Sequence, residues 1–405
     1  MREFLIQRQG RANKMPQAPI NDTVTIHQLI DDPYPIYRRF RQETPVVHVK
    51  AVGRTMLTKA AHTRAVKDNP GLFSSDDPGT PQTLAFRTRT MMRKDGEEHM
   101  CERMAMAPAL SPKNLKQIWV PGYEVLTEKY LDALPRGEVV DLFSLLAGPI
   151  SGRKVADFCG LTQVSDDDMQ RWCQTLIDAA GNFGWFQDLF DKADKVNDEV
   201  DAAVAQSIVR LQGADDQSAL ATMINAENPI PLSQIQANLK LAISGGVNES
   251  RDSMLTTIFG LLTNPDQLEE VKRTNGWGGA FEEAVRWVAP IQVSSRRVTE
   301  DTEIGGIDIP KDEVVMTVQA SSNHDEELFD EPEKFNAFRR PNPHQSFGSG
   351  PHHCFGTHLA RMTVGKTMLP LIFERFPNMQ LVDPDTVKWT GFGFRGPLSM
   401  PVRLQ

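Results

Sequence analysis

The 405-residue chain has no long hydrophobic run, no basic excess and no closely spaced cysteine pair. Its apolar stretches, such as residues 139–150, are interrupted by polar residues or proline, and none approaches the roughly 20 apolar residues that a membrane span needs. With 44 Lys+Arg against 53 Asp+Glu, the net charge of −9 leaves no basic excess to neutralise nucleic-acid phosphates. We therefore expect a protein that neither spans a membrane nor binds nucleic acid.

Cysteine is scarce, and residues 1–17 do not have the composition of a secretion signal. The four cysteines stand at 101, 159, 173 and 354 without C-x-x-C spacing, and a chain of this length does not need disulfide bonds for stability. Residues 1–17 carry Arg2, Arg8, Arg11 and Lys14 but lack an apolar segment and a small-residue cleavage site. We expect a cytoplasmic protein whose cysteines are reduced.

Helical periodicity dominates the chain, and no repeat, low-complexity segment or Gly/Ser-rich linker divides it. A long buried helix is predicted at 231–263, where Asn264-Pro265 would end it. Other predicted helices cover 31–41, 59–68, 99–109 and 112–134, and predicted strands cover 293–299, 302–309, 313–318 and 398–404. The pattern predicts a mainly α fold with a small β region, with residues 1–25 as an N-terminal extension and 26–405 as a single domain.

One cysteine stands in an unusual segment, F-G-S-G-P-H-H-C-F-G at 347–356, which precedes an apolar, helix-compatible run. Glycines allow turns closed to other residues and let the backbone approach a flat ligand closely. Where such a loop opens a helix, the helix dipole and nearby N–H groups favour a cysteine thiolate. A hydrogen-bonded thiolate is the axial ligand that helps haem iron to cleave the O–O bond, so Cys354 is a candidate haem ligand.

Two other interpretations of this segment compete with haem ligation. A zinc site formed by His352, His353 and Cys354 is disfavoured because three adjacent residues cannot converge on one tetrahedral ion, and no other Cys/His pair completes the set. A plain buried cysteine in a Gly-rich turn is the ordinary state of a lone cysteine. That interpretation holds only if the rest of the chain contains nothing that suits a haem.

The pattern F-x-x-G-x-H-x-C-x-G resembles the haem-binding loop of the cytochromes P450, and further motifs follow in the order of that family. Glu283-Ala-Val-Arg286 resembles the E-x-x-R pair, and residues 323–339 resemble the meander that leads to the cysteine loop. His99-x-x-x-Arg103 resembles the helix that holds the haem propionates. The resemblance extends from about residue 30 to the C-terminus and implies the P450 fold, with haem between the long helix and the cysteine-loop helix.

The resemblance implies a role for each matching residue. Cys354 would ligate the iron of haem b (iron protoporphyrin IX), and the buried ion pairs of Glu283 with Arg286 and Arg339 would support the cysteine loop. The remaining implied haem-binding residues are His99, Arg103, Arg296 and His352 at the propionates and Phe347, Gly348 and Gly356 in the loop.

The predicted long helix contains Gly245-Gly246-Val247-Asn248-Glu249-Ser250. Two glycines in a helix cost about 1 kcal/mol each relative to alanine, so a function should offset them. The resemblance implies a local widening where O2 binds above the haem, with Glu249 relaying protons inward and the Ser250 hydroxyl hydrogen-bonding the bound oxygen. The chain departs from the commonest form of this motif in its Glu, in its Ser in place of Thr, and in Val247 in place of glycine.

Substrate-pocket residues follow from the topology of the family, and the aromatic ones would suit a compact, flat substrate or, equally, core packing. Arg87 and Arg89 would bind a substrate carboxylate if they pointed inward. The candidate pocket residues are Phe183, Trp185, Gly245, Gly246, Ile291, Val293, Phe392 and Phe394.

We expect a bacterial-type monooxygenase that inserts one oxygen atom of O2 into a C–H bond of a small hydrophobic substrate. The Gly-Gly-x-x-Glu helix and residues 391–397 are similar to those of bacterial P450s that O-demethylate methoxylated aromatics such as guaiacol, and of their thiocarbamate-oxidising relatives. A terpene or fatty-acid hydroxylase, a peroxide-driven peroxygenase and a non-enzymatic haem-binding protein are the alternatives.

The expected electron source is a pair of separate proteins, because no flavin- or NAD-binding segment remains in the chain and no cysteine set could hold an iron–sulfur cluster. A ferredoxin and an NAD(P)H-dependent ferredoxin reductase are predicted. The ferredoxin would dock on the cysteine side of the molecule, where Arg103, Arg339, Arg340 and His344 would offer positive charge.

Overall fold

A central helix, Leu232–Leu262, organises the computed structural model, which describes residues 17–404. Most of its side chains are buried, and it packs against the helices Gly148–Cys159, Asp166–Ala180 and Trp277–Trp287. We call it the long helix; its bounds confirm the prediction from the sequence, and Pro265 begins the helix that follows. Residues 1–16 and Gln405, with the basic residues noted at the N-terminus, lie outside the described residues.

Helices make up most of the described chain. The α-helices of its first half are Ile26–Asp31, Tyr34–Glu43, Ala60–Lys67, Pro81–Ala85, Gly96–Met106, Pro112–Asn114, Val120–Asp132, Gly148–Cys159, Asp166–Ala180 and Gln187–Leu211. Those of the second half are Ala219–Ile224, Leu232–Leu262, Pro265–Thr274, Trp277–Trp287, Gln319–Ser322, Thr357–Ala360 and Leu369–Arg375. Wider π-helical segments are Leu115–Trp119, Phe143–Ala147 and Arg361–Met368, and short 3-10 segments are Met91–Arg93, Ala107–Leu110, Gly350–His352 and Pro384–Thr386. No helix in residues 17–404 is long and apolar enough to cross a membrane.

The strands form one larger sheet and three small ones. The larger sheet has the order β1-β2-β3-β9-β6-β4, with β1 Ile20–Asn21, β2 Val46–Val49, β3 Arg54–Leu57, β4 Phe73–Ser74, β6 Val293–Val298 and β9 Val314–Val318. The small sheets pair β10 Gln380–Leu381 with β13 Pro401–Arg403 and β5 Val139–Asp141, β7 Thr302–Ile304 with β8 Ile307–Ile309, and β11 Trp389–Thr390 with β12 Gly396–Pro397. The β6–β9 register sets Arg296 opposite Val315. The fold is thus mainly α with a small β region, as predicted.

Some local predictions differ from the structure. The single strand predicted at 302–309 is the hairpin of β7 and β8, which turns at Gly305-Gly306. The helix predicted at 31–41 is Tyr34–Glu43, which begins after Pro33 at its N-cap, and a separate helix, Ile26–Asp31, precedes it. The early strands β2 and β3 were not predicted: each has four residues, and all four of β3 are buried, so the strand shows no polar–apolar alternation.

Candidate functional site

Two glycines in the left-handed conformation shape the loop that carries Cys354. Gly348 has a φ of +68° and Gly350 a φ of +65°, values that residues with a Cβ rarely adopt. The turn at Gly348 lets the Cys354 N–H donate a hydrogen bond to the Phe347 carbonyl at 2.8 Å. The loop therefore closes on itself and presents Cys354 just before the helix Thr357–Ala360.

The Cys354 side chain faces an internal space. It has accessible surface, yet it lies deep among protein atoms. Burial, followed by the nearby charge of Glu249, raises the pKa of the thiol to about 11, while the Gly356 N–H, Arg103 and Arg361 act in the opposite direction. A metal ion bound to sulfur would overcome this preference, because a coordinating thiol is deprotonated.

Three buried cations lie near one another between the cysteine loop and β6. Lys67, Arg93 and Arg296 are each less than a tenth exposed, and none forms an ion pair with a carboxylate in residues 17–404. Burial, followed by the charge of Arg93, lowers the pKa of Arg296 to about 10. Buried like charges are costly unless an anion joins them, so this arrangement suits a doubly anionic group such as the two propionates of a haem.

The two predicted propionate-binding histidines stack on each other beside these cations. The rings of His99 and His352 are 4.1 Å apart, and Asp95 Oδ1 lies 3.3 Å from His352 Nε2. Burial, followed by the charges of His352 and Arg103, lowers the pKa of His99 to about 4, so its ring is neutral at pH 7. Although burial opposes it, hydrogen bonding from His352 and Ser74 holds the pKa of Asp95 below its usual range.

The predicted ligand Arg103 binds the cysteine loop itself. Its Nη2 donates to the His353 carbonyl at 2.8 Å, and its guanidinium lies 5.1 Å from the centre of the Phe355 ring. Three further residues, Asp95, Lys67 and Arg93, lie with the predicted propionate-binding residues, and they were not identified from the sequence. Only Asp95 had a signal, as an aspartate at the N-cap position of the helix Gly96–Met106.

One face of the long helix borders the internal space. Ala242, Gly245, Gly246 and Glu249 are partly exposed, at the i, i+3, i+4, i+7 spacing of a single helix face. The Glu249 carboxyl lies deep among protein atoms, and no hydrogen bond to its Oε1 is found within residues 17–404. Burial, followed by the charge of Asp252, raises the pKa of Glu249 well above its usual value.

Ser250, the predicted partner of Glu249, has a different neighbour. Its hydroxyl accepts a hydrogen bond at 2.7 Å from Nζ of Lys154, on the helix Gly148–Cys159, and both side chains are buried. Successive helical residues point about 100° apart, and Ser250 lies on the buried side next to the cavity-facing Glu249. The structure therefore corrects the expected acid–alcohol pair: Glu249 alone borders the space that Cys354 faces.

The predicted ion pairs beneath the loop are present. Glu283 receives two hydrogen bonds from Arg286, at 2.7 and 2.8 Å, and the Nε of Arg339 lies 3.1 Å from its Oε2. Arg286 also donates to the carbonyls of Asn323 and Pro332, each at 2.9 Å. Glu283 and Arg286 are fully buried, so the cluster ties the helix Trp277–Trp287 to the meander.

The predicted pocket residues divide into two groups. Phe183 and Phe392 are buried and pack edge-to-face at 5.6 Å, within a core cluster that includes Val293. Ile291 and Phe394 form a β-bridge and keep accessible surface. Trp185, whose ring centre is 6.0 Å from that of Phe190, is also partly exposed. Gly245 and Gly246 keep some accessible surface, but a Cβ on Gly245 would lie 2.8 Å from Glu249 and one on Gly246 would lie 2.8 Å from Val155.

The positions of Arg87 and Arg89 do not support a role in binding a substrate carboxylate. Arg87 pairs with Asp194 and Asp198 at the surface, and Arg89 lies near Asp76 and Glu98, so neither points inward.

The predicted docking charges are also fewer than expected. Arg339 is buried against Glu283, and the His344 side chain, only 4% exposed, is bound to Glu282. Arg340 is exposed and Arg103 is half-buried.

The zinc alternative finds no ligand set, because no group of three or more His, Cys, Asp or Glu that could hold a metal forms within residues 17–404.

Comparison with known proteins agrees with this geometry. Residues 279–393, which contain Glu283, Arg286 and Cys354, match the sequence profile of the family described as Cytochrome P450. The 6-deoxyerythronolide B hydroxylase of Saccharopolyspora erythraea is 26% identical over 403 residues, covering 92% of this chain and 96% of that protein. The steroid C26-monooxygenase of Mycobacterium tuberculosis (strain H37Rv) is 29% identical over 362 residues, covering 87% and 88%.

A solved structure shares the fold over almost the whole chain. P450BioI, in complex with an acyl carrier protein ligated with hexadec-9Z-enoic acid, matches with a TM-score of 0.84 at 22% identity, over 94% of this chain and 100% of that one. The profile match, the relatives and the shared fold agree with the cysteine loop described above. The chain resembles the cytochromes P450 in sequence and in fold, and it is an oxidoreductase of the monooxygenase type, with haem as its cofactor.

Proposed function

We propose that Cys354 ligates the iron of haem b between the long helix and the cysteine loop, and that the enzyme uses O2 to oxidise a C–H bond of a small hydrophobic substrate. The observation that carries this proposal is one internal space bordered by both the Cys354 thiol and the Glu249 carboxyl. Residues 26–405 would form the single haem domain.

The propionates would bind at the cationic edge of this space, formed by His99, Arg103, Arg296 and His352. In the loop, Phe347, Gly348 and Gly356 would shape the backbone around the sulfur. The Glu283, Arg286 and Arg339 cluster would hold the meander in position and take no part in proton transfer.

When bound, haem supplies the oxidising chemistry, in which two electrons and two protons let O2 give one oxygen atom to substrate and the other to water. The chain must deliver those protons to the internal space. Glu249 suits this task because burial raises the pKa of its carboxyl and so favours the protonated form, beside the space that Cys354 faces. Ser250 would have no direct part, since its hydroxyl is bound to Lys154.

The position of Ser250 favours a second candidate, a peroxide-driven peroxygenase. Such an enzyme transfers one oxygen atom of H2O2 to the substrate and releases the other as water. It needs no electron-transfer partner, so it does not depend on an intact acid–alcohol pair. Glu249 remains in place, which favours the O2-dependent reaction. Product formed with H2O2 alone but not with a ferredoxin system would decide for the peroxygenase.

For the substrate, we propose O-demethylation of a methoxylated aromatic compound. Oxidation of the methyl carbon next to the ether oxygen gives a product that collapses to a phenol and formaldehyde. The aromatic side chains of Trp185 and Phe394, which keep accessible surface, would suit a flat ring. Hydroxylation of a terpene or a fatty acid is the alternative.

Electrons would come from a separate ferredoxin and its NAD(P)H-dependent reductase, in the cytoplasm. On the cysteine side, the half-buried Arg103 and the exposed Arg340 would offer positive charge, and Met100 and Met104 would offer apolar contact, being 45% and 60% exposed. An electrostatic contact of this kind predicts a reduction rate that falls with ionic strength.

The test of this function is a spectroscopic titration of the purified haem protein with a methoxyaromatic, a terpene and a fatty acid. A saturable low- to high-spin change of the Soret band with the methoxyaromatic alone would support O-demethylation, and formaldehyde release with a ferredoxin system would then be measured. A response only to terpenes or fatty acids would contradict that substrate class. A protein without a thiolate-ligated Soret band would contradict the proposed role of Cys354.

A further inference from the structure

Lys67 is a buried cation that the motifs of the sequence do not explain. It ends the helix Ala60–Lys67 and is 6% exposed, without a carboxylate partner in the described part of the chain. When the Gln319 amide is oriented so that both of its polar atoms are satisfied, its oxygen accepts a hydrogen bond from Lys67 Nζ at 3.0 Å. An ammonium group has three donors, so this bond leaves capacity for a further acceptor.

The end of this helix touches the cysteine loop. Ser349 Oγ donates to Asp68 Oδ1 at 2.6 Å, and a Cβ on Gly350 would lie 3.0 Å from the Lys67 carbonyl oxygen. On the other side stands Arg296 of β6. Burial, followed by the charge of Arg296, lowers the pKa of Lys67 to about 7. The Gln319 oxygen that accepts from Lys67 Nζ also accepts from Ser294 Oγ of β6 at 3.3 Å, so the ammonium group lies between β6 and the cysteine loop.

The nearby carboxylates already have partners. Asp95 receives hydrogen bonds from Ser74 and the Ser75 N–H and lies beside His352. Asp77 accepts from Ser295 at 2.7 Å and pairs with Arg54. These contacts leave Lys67 and Arg296 as neighbouring buried cations that lack an anion of their own, and a ligand carrying two carboxylates would supply it.

We infer that Lys67 binds a haem propionate alongside Arg296, as a further cofactor-binding residue. The inference rests on the haem site at Cys354 and extends it to the helix Ala60–Lys67. The substitution Lys67→Met removes the charge and keeps the length of the side chain. Arg64→Met is the matched control, because Arg64 is an exposed cation on the same helix.

The experiment measures haem transfer from the ferric protein to excess apomyoglobin. We expect Lys67→Met to lose haem about tenfold faster than the wild type, since a charge-assisted hydrogen bond is lost, and Arg64→Met to match the wild type. The haem-free Lys67→Met protein should resist urea at least as well as the wild type, because removing an unpaired buried charge is not destabilising. Equal transfer rates for the two variants, or a less stable haem-free Lys67→Met protein, would overturn the inference.

Haem dimethyl ester tests the contact with the propionates directly. Esterification removes both negative charges, so the wild type and Lys67→Met should lose this analogue at the same rate. A tenfold difference that persists with the ester would overturn the inference. If the wild type bound neither haem nor its ester through Cys354, the haem site itself would be contradicted, an outcome separate from the failure of Lys67.

Discussion

A Cβ atom placed on Gly245 would lie 2.8 Å from Oε2 of Glu249, one turn further along the long helix. The carboxyl group therefore folds back over the glycine and occupies the volume that any other side chain would need. Helical side chains lean towards the N-terminus, so residues at i and i+4 lie one above the other. A glycine at this spacing allows the Glu249 carboxyl to lie close against the helix beside the internal space.

The first prediction concerns Gly245→Ala. The new methyl group should displace the Glu249 carboxyl and lower the product formed per reducing equivalent. Stability should rise by up to about 1 kcal/mol, since alanine is the better helix former. Urea unfolding and the ratio of product to NAD(P)H consumed measure the two effects.

Gly278→Ala is the matched control for this substitution. Gly278 lies in the helix Trp277–Trp287, and its Cβ would meet nothing nearer than Lys366 Cε at 3.6 Å. This variant should gain stability and keep the wild-type ratio of product to NAD(P)H consumed, which we call the coupling. If both alanine variants coupled equally well, the link between Gly245 and Glu249 would be refuted.

The second prediction concerns Glu249→Gln, which keeps the shape of the side chain but has no proton to transfer. Product per reducing equivalent should fall, and more H2O2 or water should be released. The raised pKa of Glu249 means that the unfolded chain ionises at lower pH than the folded chain, so the carboxyl destabilises the fold as pH rises above its ordinary value of 4.5. The haem-free glutamine variant should therefore be the more stable protein at pH 7, in urea unfolding, and equal stability would contradict a buried carboxyl.

The sequence predicts the parts of the site that lie within one segment. The long helix, the glycine loop and the spacing of Glu283 and Arg286 are local patterns, and the helix ends within one residue of the predicted bounds at each end. The strands β2 and β3 escape prediction because they are short and because the β3 partner, β9, is remote in the chain.

Contacts between remote segments decide the rest. The Ser250 hydroxyl was expected to hydrogen-bond the bound oxygen, but it accepts a hydrogen bond from Lys154, 96 residues earlier in the chain. In the sequence, Lys67 cannot be distinguished from an ordinary basic residue at the end of a helix. Only the packing of that helix against the cysteine loop and Arg296 reveals a buried cation near the haem site.

The third prediction separates the roles of Lys154 and Ser250. Ser250→Ala should destabilise the protein by about 1–3 kcal/mol, because it removes the hydrogen-bond partner of the buried Lys154 nitrogen. Lys154→Met should cost less or be stabilising, and the double variant should behave like Lys154→Met. Coupling should stay near the wild-type value in Ser250→Ala. Urea unfolding and the ratio of product to NAD(P)H consumed are the two measurements. If Ser250→Ala kept its stability but lost coupling as Glu249→Gln does, the structural role assigned to Ser250 would be wrong.

The fourth prediction is a pH dependence. Burial lowers the pKa of Lys154 from 10.5 to about 7. Between these values the unfolded chain holds a proton that the folded chain lacks, so wild-type stability should rise with pH, by up to about 1.4 kcal/mol per unit. The free energy of unfolding of Lys154→Met should lack this rise. Urea titrations of both haem-free proteins between pH 7 and 10 measure the difference, and parallel curves would refute a neutral Lys154.

The last prediction tests the cluster beneath the cysteine loop. Glu283→Gln leaves Arg286 and Arg339 buried without their counter-charge and should cost about 3–5 kcal/mol, enough to expose the loop and lose haem. Its neighbour Glu282 is the matched control: it pairs with Arg361 and His344 but is 25% exposed, so Glu282→Gln should cost much less and retain haem. Haem content per polypeptide and urea unfolding are the measurements. Because the two glutamates are adjacent and lose the same charge, a larger loss for Glu283→Gln would isolate the contribution of burial, whereas equal losses would mean that the cluster has no special part in holding the loop.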